Sequence, residues 1–120
     1  MTEFTDSANW IEVAKVADLA DIKTGNVAAI NMELDNGANK SIILIRTGVH
    51  EWSALDNVCT HDGGCLDDGE IDLNKNSIEC NRHGANFNIK TGEVISMPAI
   101  HPVQSYPVKI ESDILYIQIP

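Results

Sequence analysis

The chain has 120 residues, 43% hydrophobic but only 5% aromatic, and 18 acidic against 8 basic side chains give it a formal charge of −10. That length suits one domain over residues 1–120 that buries roughly two-thirds of its unfolded surface. The acidity excludes nucleic acid, which needs Lys and Arg clusters against phosphate, and an anionic membrane surface.

Short β-type runs separated by turn residues make up most of the chain. Trp10 to Val16 alternates with period two, and Val16 to Ala20 holds a hint of a helical turn. Asn26 to Leu34 reads as a second strand, and Asp35-Asn36-Gly37 is a strong turn signal. Ser41 to Arg46 follows as a buried strand that Thr47-Gly48 breaks. The longest apolar run, Ile42 to Ile45, lies within it and is too short to span a bilayer. Glu51 to Val58 is a further strand. Cys59 to Gly69, rich in Gly and Asp, reads as a loop, and the acidic stretch Glu70 to Asp72 as a solvated face. Ser77-Ile78-Glu79 is a short strand, and Lys90-Thr91-Gly92 joins two runs into a hairpin. Val108-Lys109-Ile110 and Ile114 to Ile119, joined by Glu111-Ser112-Asp113, close the chain. The expected class is all-β, a sandwich or small barrel.

Chemistry concentrates in two loops. Cys59-Thr60-His61 is the first, and Cys80-Asn81-Arg82-His83 followed by Gly84 is the second. Each offers one thiolate and one imidazole. A mononuclear site would take all four as a Cys₂His₂ tetrahedron, as zinc does. A dinuclear iron–sulfur site would place both cysteines on one iron and both histidines on the other. Spacing leans to the second arrangement, since structural zinc sites pair like with like and Cys-x-His is tighter than their usual knuckle.

At these residues the sequence resembles the Rieske family, whose pattern is Cys-x-His, a spacer, then Cys-x-x-His-Gly. Leu66 and Gly69 match the family's first cluster loop, and Phe87, Thr91-Gly92 and Pro98-Ala99 follow the second. Tyr106-Pro107-Val108 resembles the closing strand. The resemblance implies stacked antiparallel β-sheets, with a cluster-binding subdomain of two loops over residues 57–99. It also implies one [2Fe–2S] cluster held by Cys59, His61, Cys80 and His83, with Gly63, Gly64 and Gly84 admitting the backbone close to the sulfurs.

Departures from the family narrow the type. High-potential members bridge the two loops with a disulfide; here Cys65 lies near one position, but Asn81 and Arg82 leave it no partner, so no disulfide is expected. Those members also carry Ser and Tyr donors to the cluster where this chain has Ala85 and Phe87. Losing donors, together with the net negative charge, predicts a potential toward the low end of the Rieske range of about −150 to +300 mV. Asn81 replaces a usual Pro, and Arg82 is a bulky cation in the same loop.

The resemblance thus implies a ferredoxin, an electron carrier without enzyme activity of its own. It would pass one electron from a flavin-containing ferredoxin reductase to a terminal dioxygenase. The alternatives are a Rieske-like small subunit of a nitrite reductase, acting in assembly or regulation, and a zinc-stabilised binding module. The polar, acidic start Met1 to Asp6 and the odd number of cysteines point to a reducing cytoplasm. A monomer is expected for a shuttle. His50 and His101 read as surface histidines, and Trp10 and Trp52 as packing residues.

Overall fold

The computed structural model describes residues 10–33, 37, 39–58, 66–67, 69–80, 84–96 and 101–118. In chain order its strands are β1 (Trp10–Lys15), β2 (Val27–Glu33), β3 (Asn39–Gly48), β4 (Glu51–Asp56), β5 (Glu70–Asp72), β6 (Ser77–Glu79), β7 (Asn86–Asn88), β8 (Val94–Ser96), β9 (Ser105–Tyr106), β10 (Val108–Glu111) and β11 (Ile114–Gln118). A 3-10 turn, Val16–Leu19, follows β1. The strands form three antiparallel sheets, ordered β1-β11-β10, β2-β3-β4-β9 and β5-β6-β7-β8. The expected all-β, stacked antiparallel architecture is what the chain adopts. Among the described residues no helix is long and apolar enough to cross a membrane.

β3 organises the stack. Ile42, Ile43, Leu44 and Ile45 are all fully buried. Side chains alternate across a strand, so the run divides between two cores. Ile42 and Leu44 join Leu19, Met32, Trp52, Ala54, Tyr106, Leu115 and Ile117. Ile43 and Ile45 join Leu55, Leu66, Ile78, Cys80, Ala85, Phe87, Ile89 and Val103. A strand covered on both faces is uniformly apolar for this reason.

Two expectations change. Thr47-Gly48 does not end β3, because an irregularity between Arg46 and Gly48 absorbs the extra residue and Gly48 still pairs with Glu51. Glu70 to Asp72 is not merely a solvated face: it is β5, pairing with β6, and Ile71 packs on the core that contains Cys80. The predicted turn at Asp35-Asn36-Gly37 lies mostly outside the described residues; Gly37 has φ +83°, the left-handed region such a turn uses. At the other end, Ser112 and Asp113 both have positive φ in the tight β10–β11 connection.

Candidate metal centre

Cys80 follows β6 directly, and only 1% of it is exposed. Its amide donates to the carbonyl of Ala85 at 2.8 Å, and the amide of Gly84 donates back to the Cys80 carbonyl at 3.0 Å. These bonds extend the β6–β7 ladder and hold Cys80 to Gly84 and Ala85. Gly84 has φ +75°, a conformation glycine adopts without strain. His83 lies outside the described residues, as do Cys59, His61 and Cys65. Of the four expected ligands the structure therefore describes Cys80, and its thiol is set in an apolar wall that includes Ile78, Ala85 and Phe87.

The far limb of the first loop is described as well. Leu66 is fully buried in the same core as Cys80. The Gly69 amide donates to the Leu66 carbonyl at 2.8 Å. A Cβ on Gly69 would lie 2.6 Å from the carbonyl oxygen of Glu79, one residue before Cys80. The Leu66 and Gly69 pattern thus has a packing cause, a buried plug followed by a close backbone approach to the other ligand strand.

Three polar residues here were not singled out from sequence. Asn57 is buried, and its side-chain oxygen accepts from the amides of Leu66 at 2.8 Å and Asp67 at 2.9 Å. Asn86 Nδ2 donates to the Gly84 carbonyl and to Ser96 Oγ, both at 3.1 Å, and Ser96 Oγ lies 3.5 Å from the same carbonyl. Asn86 and Ser96 thereby join the second ligand loop to the strand that leads into residues 97–100. On the other side of those residues, the Val103 amide donates to the Gly92 carbonyl at 2.8 Å. In the sequence, only their position beside loops marks these residues.

Below the loops, Tyr106 Oη donates to Asp56 Oδ1 at 2.5 Å, and Lys40 Nζ stands 3.5 Å from the same oxygen. Burial, then the hydrogen bond and the negative charge of Asp56, hold the Tyr106 phenol far above its ordinary range. His50 is exposed in the β3–β4 turn and His101 is exposed, in keeping with surface roles. Trp52 is buried beneath the Arg46 guanidinium, and Trp10 lies under Lys109.

A buried thiol at the root of a glycine-closed turn, among apolar side chains, fits an iron–sulfur ligand. Residues 9–107 match the family model of the Rieske [2Fe-2S] domain, and the chain belongs to that family. It is accordingly a protein of one [2Fe–2S] cluster. The ferredoxin component of the naphthalene 1,2-dioxygenase/salicylate 5-hydroxylase systems of a Ralstonia species is 32% identical over 104 residues, 87% of this chain and 89% of that one. The ferredoxin fold solved as a complex of reduced oxygenase and oxidized ferredoxin in carbazole 1,9a-dioxygenase matches with a TM-score of 0.75 at 27% identity, over 93% of this chain and 94% of the matched one. A Mycobacterium tuberculosis protein assigned as the small subunit of an NADH-dependent nitrite reductase has a TM-score of 0.73 at 16% identity, over 96% of this chain and 98% of that one, a likeness of fold alone.

Proposed function

We propose that this protein is a ferredoxin that carries single electrons from a flavin-containing reductase to a terminal oxygenase, without enzyme activity of its own. Cys59 and Cys80 hold one iron and His61 and His83 the other, within a cluster-binding part that runs from about residue 57 to 99 of a single domain. The observation that carries the proposal is the setting of Cys80, buried at the root of a closed turn in a chain of the Rieske family. Its relatives' names support the oxygenase as partner: they are ferredoxin components of dioxygenase systems.

Bound between these loops, the cluster supplies one-electron chemistry at the raised potential that histidine ligation gives. The chain's part is to hold and exclude. Cys80 anchors from the apolar side, while Ala85 and Phe87, both fully buried, shut out water and offer no hydroxyl. The charge of −10 suits electrostatic steering toward basic partners. The cytoplasm is the proposed compartment and a monomer the proposed state, as suits a shuttle.

The test is iron, sulfide and zinc analysis of protein purified without oxygen, with EPR after dithionite reduction. Two irons and two sulfides per chain, with the low-average-g rhombic signal of histidine ligation, are expected. Zinc without sulfide would replace this reading with a binding module.

A further inference from the structure

The chain leaves β4 at Asp56, and the next residue, Asn57, is 9% exposed. Its backbone amide donates to the Ser41 carbonyl at 2.9 Å, and its Nδ2 donates to Ser41 Oγ at 3.1 Å. Its Oδ1 accepts from both Leu66 and Asp67 amides, at 2.8 and 2.9 Å. One side chain thus binds β3 on one side and, nine and ten residues downstream, the returning limb of the loop on the other. The segment it closes, residues 58–65, contains Cys59 and His61.

We infer that Asn57 is a positioning residue for the cluster: it cinches the root of the first ligand loop, so that the segment carrying Cys59 and His61 leaves and rejoins the fold at fixed points. The inference rests on the ligand assignment proposed for those two residues. Three features of the loop's root carry it. Both amides turned toward Oδ1 belong to the loop's end, so without Asn57 they lose their acceptor, Leu66 at a buried place and Asp67 at a half-buried one. Leu66, the first of them, is fully buried in the core that holds Cys80, so the cinch ties the two ligand loops to one wall. The donor arm to Ser41 fixes the amide's orientation, and hence which atom faces the loop. An amide meets this demand because it has an acceptor with two lone pairs and a separate donor. Loop closure otherwise costs entropy each time the ligands must be assembled.

A carboxylate would keep the two accepted bonds and could still accept from the Ser41 hydroxyl, whereas Leu, similar in size, keeps none. The experiment compares wild type, Asn57→Asp and Asn57→Leu, each loaded with cluster. Cluster loss is followed by visible bleaching with a chelator well below the melting temperature, alongside EPR of the reduced state. Asn57→Leu is expected to lose its cluster at least about tenfold faster, the size of effect typical of residues that orient metal ligands, with a broadened g-tensor. Asn57→Asp is expected to restore retention to within about threefold, with the wild-type line shape. If Asn57→Leu does not fold, Asn57→Ser, whose hydroxyl is too short to span both limbs, takes its place with the same expectation. Wild-type retention and line shape in Leu or Ser would overturn the inference alone. Failure of Asp to rescue would do so too, by making the effect one of general packing. A wild type without iron and sulfide would overturn the ligand assignment and this inference with it.

Discussion

At Ala85 and Phe87 the side chains are fully buried in the core that contains Cys80, and neither carries a hydroxyl. A hydroxyl placed there must find an acceptor or stay unpaired at a cost of about 1–3 kcal/mol. The cluster sulfurs are the acceptors that gain most when an electron arrives. Ala85→Ser and Phe87→Tyr are therefore each expected to raise the midpoint potential, by roughly 40–90 mV if the reduced form gains about 1–2 kcal/mol. Protein-film voltammetry checks this, and a fall in potential would refute it. Tyr106 makes a prediction about pH. Its phenol is held well above the usual value of about 10 in the folded chain, by burial and by Asp56. Below pH 10 both states keep the proton and this group leaves stability flat. Above pH 10 the unfolded chain releases it and the native chain does not, so stability falls as pH rises. Melting curves from pH 9 to 11 should show that fall in the wild type and a shallower one in Tyr106→Phe. At neutral pH the variant should lose about 1–3 kcal/mol with its charge-assisted bond to Asp56.

Among the elements, the β7–β8 hairpin depends most on one residue. Gly92 has φ +78°, and a Cβ there would stand 1.8 Å from the Val103 carbonyl oxygen. Gly92→Ala should destabilise the protein by at least about 2 kcal/mol, from backbone strain and displacement of the segment around Val103. Urea unfolding would show it as a lower midpoint at unchanged slope. This hairpin was legible from sequence because its signal is local: Thr91-Gly92 between apolar runs. The same holds for β6 and for the apolar run of β3. Non-local causes were not legible. Glu70 to Asp72 looks like a charged surface, and becomes β5 only because Ile78 stands opposite Ile71. Thr47-Gly48 looks like a stop, but a bulge carries the ladder past it to Glu51. The Cys and His pattern marks the two expected ligand loops, while the residues that brace the ends of those loops carry no such pattern. Asn57 resembles any turn former until the chain returns with Leu66 and Asp67, and Asn86 has no visible task without Gly84 and Ser96 beside it.

On the scale of the molecule, the middle sheet divides two cores, and β3 belongs to both. Ile43 faces the core of Cys80, and Leu44 the core of Leu115 and Ile117. Ile43→Ala and Leu44→Ala should each cost about 2–5 kcal/mol by opening a cavity. Only Ile43→Ala is expected to change the EPR line shape or the potential, since its cavity opens on the wall that carries Cys80. Equal spectral effects from both would contradict that division. The net charge of −10 adds a kinetic expectation: electron transfer to a basic partner should slow steeply with added salt, because steering is screened beyond about 10 Å at 0.1 M.

Pro107 sits between β9, which pairs with β4, and β10, which pairs with β11. Its carbonyl still accepts from the Gln118 amide at 3.0 Å, while Tyr106 on its other side is paired with Ala54. One unbroken stretch of backbone is therefore woven into two layers at once, and neither layer can slide over the other without tearing that weave. Amide protons of β4 and β11 should accordingly exchange with solvent through one shared opening, at matched rates, although they lie in different sheets.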